Sequence, residues 1–227
     1  MQTPTLSFEQ RYICYIDILG FKDAIENPDH PDLIRSPEYI FTALNIMKAI
    51  TEQPDFSLEG LCSSQFSDCI AFSCHSGEAN LGMMFKRIAH LQRELLKGGL
   101  LTRGGIAKGE LFHQHGHFFG KALNEAVELE KEAKWPRVLL SDAVYADING
   151  TGEYSYLVSQ DIDDRFYVKY LDLLGSADPQ QQQDLCFIRR FIRHGLGNNN
   201  NIRQKYEWLE KNIPSLKTAI SQQSHLT

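Results

Sequence analysis

Two aspartates interrupt apolar strands of this sequence in similar ways. Asp17 lies in "YIDILGFKDA", residues 15–24, flanked by Tyr15, Ile16, Ile18 and Leu19. Asp68 lies in "FSDCIAF", at or near a turn between two apolar runs. A buried carboxylate is costly, and two that converge repel each other, so a divalent cation is the usual remedy. The glycine after Asp17, Gly20, marks a turn into a helix, and N–H groups at such a turn are a ready seat for phosphate. Carboxylates, Mg²⁺ or Mn²⁺ and a triphosphate form one coherent set. The plainer reading is that each aspartate caps a turn; the pairing with a glycine turn favours metal.

The elements that must position these residues follow from periodicity. Strand 11–19 leads to a helix starting near Phe21. A second helix has Ser36 as N-cap, Pro37 in its first turn, and Ile40, Phe41, Leu44, Met47 and Ile50 at helical spacing. Strands near 58–66 and 68–74 come next. A helix over 78–97 carries Leu81, Met84, Ile88, Leu91 and Leu95 on one face and stops at Gly98-Gly99. Strands near 102–112 and 117–119 precede a helix that begins after Gly120, turns Ala122, Ala126, Leu129 and Ala133 inward, and ends at Pro136. "RVLLS" reads as a buried strand, and two more strands lie near 154–159 and 165–172. A helix near 182–195, an asparagine loop at 198–201 and a helix holding Tyr206, Trp208 and Leu209 complete the chain. The order β-α-α-β-β-α-β-β-α-β predicts an α+β fold of ferredoxin-like, palm type, with an antiparallel-rich sheet and a C-terminal helical extension. All 227 residues read as a single domain, with a core over about 8–175 and a helical tail over about 180–227.

Composition narrows the function classes. Hydrophobic residues make up 42% and charged residues 23%, ordinary for a soluble globular protein. No apolar run approaches the roughly 20 residues needed to span a membrane, and the N-terminus lacks the pattern of a signal peptide. The five cysteines form no CxxC pair and read as reduced thiols of a cytoplasmic protein. A net charge of −6 argues against a nucleic-acid surface. His113, His115 and His117 alternate as zinc ligands on a strand can, but a polar edge hairpin is the better reading without a cysteine or acidic partner nearby. Gly104, Gly105 and Gly109 form no dinucleotide fingerprint and read as sites where a strand bends or packs closely. Arg189, Arg190 and Arg193, near Arg203 and Lys205, could make a basic patch, but a solvated helix face is the better reading.

Taken in order, "YIDILGFKDAI", "QFSDCIAFS", "LTRGGIAKGELFH", "HFFGKALNEAVELEKEAKWPRVLLSD" and "KYEWL" resemble the class III nucleotidyl cyclases. The nearest branch is the bacterial pyrimidine cyclases of Pycsar anti-phage defence. The resemblance implies that Asp17, Asp68 and the Ile18 carbonyl bind two divalent cations, Mn²⁺ or Mg²⁺. It implies that the backbone of Leu19, Gly20 and Phe21 holds phosphates. Gly120-Lys-Ala-Leu-Asn124 matches the segment whose asparagine orients the ribose and stabilises the transition state. The family's arginine one turn on is Glu128 here, so Lys131 or Lys169 is expected to substitute. The purine-reading lysine and aspartate of the family are Ser64 and His117 here, which points to a pyrimidine, UTP rather than CTP. The resemblance further implies a homodimer with sites across its interface, and a product, cyclic UMP, that activates a separate effector. The alternatives are a cytidylate cyclase and a non-catalytic nucleotide-sensing module. Diguanylate-cyclase or polymerase chemistry is weakened by the lack of a GGDEF-like run.

Overall fold

A computed structural model describes residues 6–26, 37–52, 58–173, 179–197 and 200–213. Its centre is β1 (Glu9–Ile18), whose buried Tyr12, Ile13, Cys14, Ile16 and Ile18 leave no side free for solvent over most of its length. A strand buried on both faces needs a neighbour on each edge. β3 (Cys69–His75) and β4 (Thr102–Gln114) both pair antiparallel with it. β2 (Cys62–Phe66) adds outside β3, and β6 (Val138–Leu140) runs parallel to β4. β8 (Phe166–Val168) and β7 (Val158–Gln160) extend that edge. The sheet order is β2-β3-β1-β4-β6-β8-β7, with β5 (His117–Phe119) hairpinned onto β4. This is the expected mixed α+β sheet.

The two faces are covered differently. One face carries α2 (Pro37–Thr51) and α3 (Glu78–Lys97), whose Met47, Leu81, Met84, Phe85 and Ile88 pack on Cys14, Ile16, Phe72 and Ile106. The other carries α4 (Lys121–Glu132), whose Ala122 and Ala126 sit on Ile13, Ala71, Ala107 and Leu111. Gly105 is what admits α4: a Cβ there would lie 2.5 Å from Leu129 Cβ and closer still to the Ala126 carbonyl. The expectation of close packing at Gly105 therefore holds. α4 leaves the β2–β3 side of its face uncovered, where Phe66 is 78% exposed.

Several local expectations change. α1 is short (Phe21–Glu26), and Ser36 lies outside the described residues. Phe41 faces solvent, and the buried stripe of α2 is Ile40, Ala43, Met47 and Ile50. α4 stops at an Ala133 cap before Pro136, whose carbonyl instead accepts a bond from Tyr170 Oη at 2.6 Å. α5 (Asp142–Thr151) was not expected; Ser141 caps it, accepting from Val144 N–H at 3.3 Å, and Gly152 ends it at φ +68°. Residues 155–157 form a 3₁₀ turn rather than strand. α6 spans Pro179–Leu196, and α7 (Asn200–Asn212) begins inside the asparagine run, whose 198–199 lie outside the described residues.

α7 is tied down by a buried charge cluster. Arg137 is fully buried, pairs with Asp161 and Asp163, and stacks over Trp135 at 4.6 Å. Asp161 also accepts from Trp208 Nε1 of α7 at 2.7 Å, and Leu209 and Ile213 are buried beside it. The five cysteines are free thiols. No helix among the described residues is long and apolar enough to cross a membrane.

Candidate active site

β1 brings Asp17 to the end of the sheet, opposite Cys69 on β3 and Arg103 on β4. Asp68 sits in the two-residue turn of the β2–β3 hairpin, where Ser67 takes φ +53°. The Ile18 N–H donates to the Asp68 carbonyl at 3.3 Å, which fastens the turn to the end of β1. The carboxylates of Asp17 and Asp68 and the thiol of Cys69 thus come within 4.8 Å of one another. Burial pushes the Asp17 carboxyl up to about 7, helped by its hydrogen bond with Asp68 and the charges of Asp68 and Glu130, and opposed by Arg103.

The chemistry of this donor set fits a hard divalent cation. Burial pushes the Cys69 thiol up to about 12, so it donates to Asp17 Oδ1 at 3.5 Å instead of offering a thiolate. The remaining donors are carboxylate oxygens, which suit Mg²⁺ and Mn²⁺. A positive charge between Asp17 and Asp68 removes the repulsion that raises the pKa of Asp17.

A cleft of about 440 Å³ opens from these carboxylates over Leu19, Gly20 and Phe21. The expected phosphate seat is narrower than three amides. The Leu19 N–H donates to the Leu101 carbonyl at 2.8 Å, so among the described residues the Gly20 and Phe21 N–H groups remain for a ligand. Gly20 turns the chain at φ +84°, a conformation that favours glycine. Three cations line the cleft: Lys22, Arg103 and Lys205. Sequence does not single out Lys22 or Arg103, and it marks Lys205 only as part of a candidate basic patch. Arg103 was reachable only through the β1–β4 register, and Lys205 only through the docking of α7. Burial and the Arg103 guanidinium lower the Lys205 pKa while Asp17 raises it, so Lys205, Arg103 and Asp17 share one field.

The other expected residues lie elsewhere. Asn124 and Lys131 are on the exposed side of α4, with Glu128 between them and 2.8 Å from Lys131 Nζ. That side points away from the sheet, so one chain alone does not bring Asn124 or Lys131 into its own carboxylate cleft. Lys169 pairs with Asp172 at 3.6 Å and lines a separate cleft of about 190 Å³. His117 is exposed on β5. Ser64, on edge strand β2, bonds to His113 Nε2 at 3.0 Å. His113 is itself 2% exposed, which corrects the reading of the histidine triplet as a polar edge.

No protein-family model matches the sequence, and no curated protein is similar to it. Solved structures do match the fold. A bacterial light-regulated adenylyl cyclase aligns with TM-score 0.50 and 16% identity over 83% of this chain, which spans 59% of that protein's length. The guanylyl cyclase Cya2 aligns with TM-score 0.50 and 16% identity over 77% of this chain and 96% of that one. The chain has the fold of a nucleotidyl cyclase domain. A non-canonical dimeric guanylyl cyclase domain of the RhoGC fusion protein from the aquatic fungus Blastocladiella emersonii is similar too, with TM-score 0.50, 13% identity, and coverage of 70% of this chain and 96% of that one.

Proposed function

We propose that this protein is a homodimeric pyrimidine nucleotide cyclase that converts UTP to 3′,5′-cyclic UMP and pyrophosphate. The observation that carries the reading is the Asp17–Asp68 pair at the mouth of a cleft lined by Lys22, Arg103 and Lys205, on a cyclase fold. In the reaction the ribose 3′-oxygen bonds to the α-phosphorus, the bond to the bridging oxygen of pyrophosphate breaks, and the hydroxyl proton passes to solvent. Two divalent cations held by Asp17, Asp68 and the Ile18 carbonyl would acidify the 3′-hydroxyl and neutralise the leaving group.

The chain's own residues supply placement and charge. The Gly20 and Phe21 amides and the Lys22, Arg103 and Lys205 cations receive the phosphates, and such positioning provides much of the acceleration. Asn124 and Lys131, which point away from their own cleft, would serve the cleft of a second copy. The RhoGC neighbour, a non-canonical dimer, supports pairing of two copies without bearing on this arrangement. Ser64 and His117, standing where purine cyclases carry a lysine and an aspartate, support a pyrimidine base. The sequence resemblance to Pycsar cyclases supports a cyclic product that acts on a separate effector in anti-phage defence.

A nucleotide-sensing module without turnover is the second reading. It is favoured by Glu128, an acid where the family has arginine, already paired with Lys131. Incubation with each of UTP, CTP, ATP and GTP and Mn²⁺, with products resolved by mass spectrometry, decides between them. Cyclic UMP supports the proposal, cyclic CMP corrects only the base, and no cyclic product from any of the four supports the sensing module.

A further inference from the structure

A relay of hydrogen bonds runs under the open part of the sheet face, from Arg11 on β1 to Ser64 on β2. Arg11 Nε donates to Ser73 Oγ at 3.0 Å. Ser73 is completely buried, and its hydroxyl has one other partner among the described residues, His113 Nδ1 at 2.8 Å. Arg11 can only donate, so the Ser73 oxygen is accepting there. Its proton must then go to His113 Nδ1, because a buried hydroxyl proton without an acceptor is unfavourable. Burial and the Arg11 charge push the His113 pKa down to about 4, so the ring is neutral near pH 7. A neutral imidazole that accepts at Nδ1 carries its proton on Nε2. That proton donates to Ser64 Oγ at 3.0 Å. The polarity set by Arg11 therefore reaches Ser64, whose own hydroxyl proton is left to point outward.

Ser64 stands on the same sheet face as Asp17. Ser64 pairs with Ala71, which pairs with Tyr15, two residues before Asp17 on β1. The offset is roughly 7 Å along the strands and 10 Å across two of them. A ribose alone is too short for this gap; a nucleotide measured from its α-phosphate through the ribose to the far edge of its base is comparable.

We propose that His113 is a positioning residue that fixes the Ser64 hydroxyl as an outward hydrogen-bond donor, so that a nucleobase on this face is read at a carbonyl oxygen. The identity of the ligand as a nucleotide rests on the cyclase reading; the direction of the relay does not. Uracil offers a carbonyl at position 4, where cytosine offers an amino group. An amino group there could reach only the second lone pair of Ser64 Oγ and would leave the outward hydroxyl proton unpaired, so cytosine is disfavoured. A base-edge mismatch of this kind leaves a polar group unpaired and so discriminates.

Two measurements test the proposal. Long-range ¹⁵N NMR of the His113 ring, assigned with His113→Gln, is expected to show the neutral Nε2–H tautomer at pH 7. The Nδ1–H tautomer or a charged ring overturns the relay. Calorimetric binding of 3′-deoxy-UTP and 3′-deoxy-CTP with Mg²⁺, neither of which can cyclise, is expected to favour the uracil analogue. Ser64→Ala and His113→Phe should each reduce that preference about 5- to 10-fold, with pyrophosphate binding unchanged. Ser64→Ala, on an edge strand, decides the matter if His113→Phe does not fold. A preference that survives Ser64→Ala overturns the proposal, as does equal binding of both analogues by the unmodified protein. The Nε2–H tautomer with selective uracil binding, but no cyclic product from UTP, would leave this inference standing and remove the cyclase reading.

Discussion

Arg103 Nε of β4 and Glu130 Oε1 of α4 lie 2.5 Å apart, while the same nitrogen is 3.5 Å from Asp17 Oδ2. The Arg103–Glu130 contact lacks the alignment of a hydrogen bond, and both atoms are buried without one. Arg103 Nε thus lies between two carboxylates without a well-aligned bond to either. A phosphate group entering the cleft could offer the guanidinium two oxygens in bidentate geometry, and a cation would take over its compensation of Asp17.

That compensation is incomplete, as the raised Asp17 pKa shows. Asp17→Asn is expected to raise the melting temperature of the metal-free protein by about 2–4 °C, corresponding to about 1 kcal/mol. The same substitution, and Asp68→Asn, should abolish cyclisation and the thermal shift caused by Mn²⁺. Differential scanning fluorimetry with and without Mn²⁺ checks both parts. Clear turnover by either variant at saturating Mn²⁺ contradicts the metal assignment.

Lys205 brings a charge from α7 to the cleft that the proposed function fills with triphosphate. Lys205→Gln should weaken pyrophosphate inhibition and raise the KM for nucleotide about tenfold, in line with the loss of one charged hydrogen bond. Lys205→Arg should recover most of the loss. Equal inhibition constants for Lys205→Gln and the unmodified protein would remove Lys205 from the site.

Asn124 and Asp17 should act on opposite subunits. Equal amounts of inactive Asp17→Ala and Asn124→Ala protein, after verified subunit exchange, should recover about a quarter of full activity, because half of the dimers then hold one intact site. No recovery, or a monomer by light scattering, rules out shared sites.

Gly105 lets α4 approach the sheet. Gly105→Ala places a methyl against the Leu129 side chain and the Ala126 carbonyl, which is backbone and cannot yield cheaply. A loss of about 1–3 kcal/mol is expected, typical of overpacking, together with lower activity as Asn124 is displaced. A melting temperature equal to that of the unmodified protein would show that α4 is not packed as described.

His113 should make the fold acid-sensitive. Its folded-state pKa of about 4 lies below the ordinary histidine value. The unfolded chain therefore takes up a proton first, and the stability His113 contributes above pH 6.5 is lost as pH falls toward 4. The difference in melting temperature between the unmodified protein and His113→Gln should shrink over that interval. A difference independent of pH would mean that His113 does not remain neutral in the fold.

What could be read from sequence was whatever announces itself locally. Asp17 and Asp68 stood out because charge interrupts apolar strands, and α3 because a five-residue apolar stripe ends at two glycines. α5 has only Val144 and Ile148 buried, too thin a stripe to notice, although Ser141 and Gly152 mark its ends. Arg103, Lys205 and Glu130 carry no local sign of function. Their meaning comes from strand register and from helices packed across long sequence separations. His113 was misread for the same reason: the groups that bury and neutralise it, Arg11 and Ser73, belong to other strands.

The bond between Trp208 and Asp161 places the last described helix against the cleft that the first strand begins. Roughly 190 residues separate Asp17 from Lys205. At about 5–20 residues per second of synthesis, that interval is roughly 10–40 s. A chain still on the ribosome can thus pair its carboxylates and close its sheet while the cleft lacks one wall. Binding of triphosphate at full strength would then begin only after Lys205 has emerged and α7 has docked.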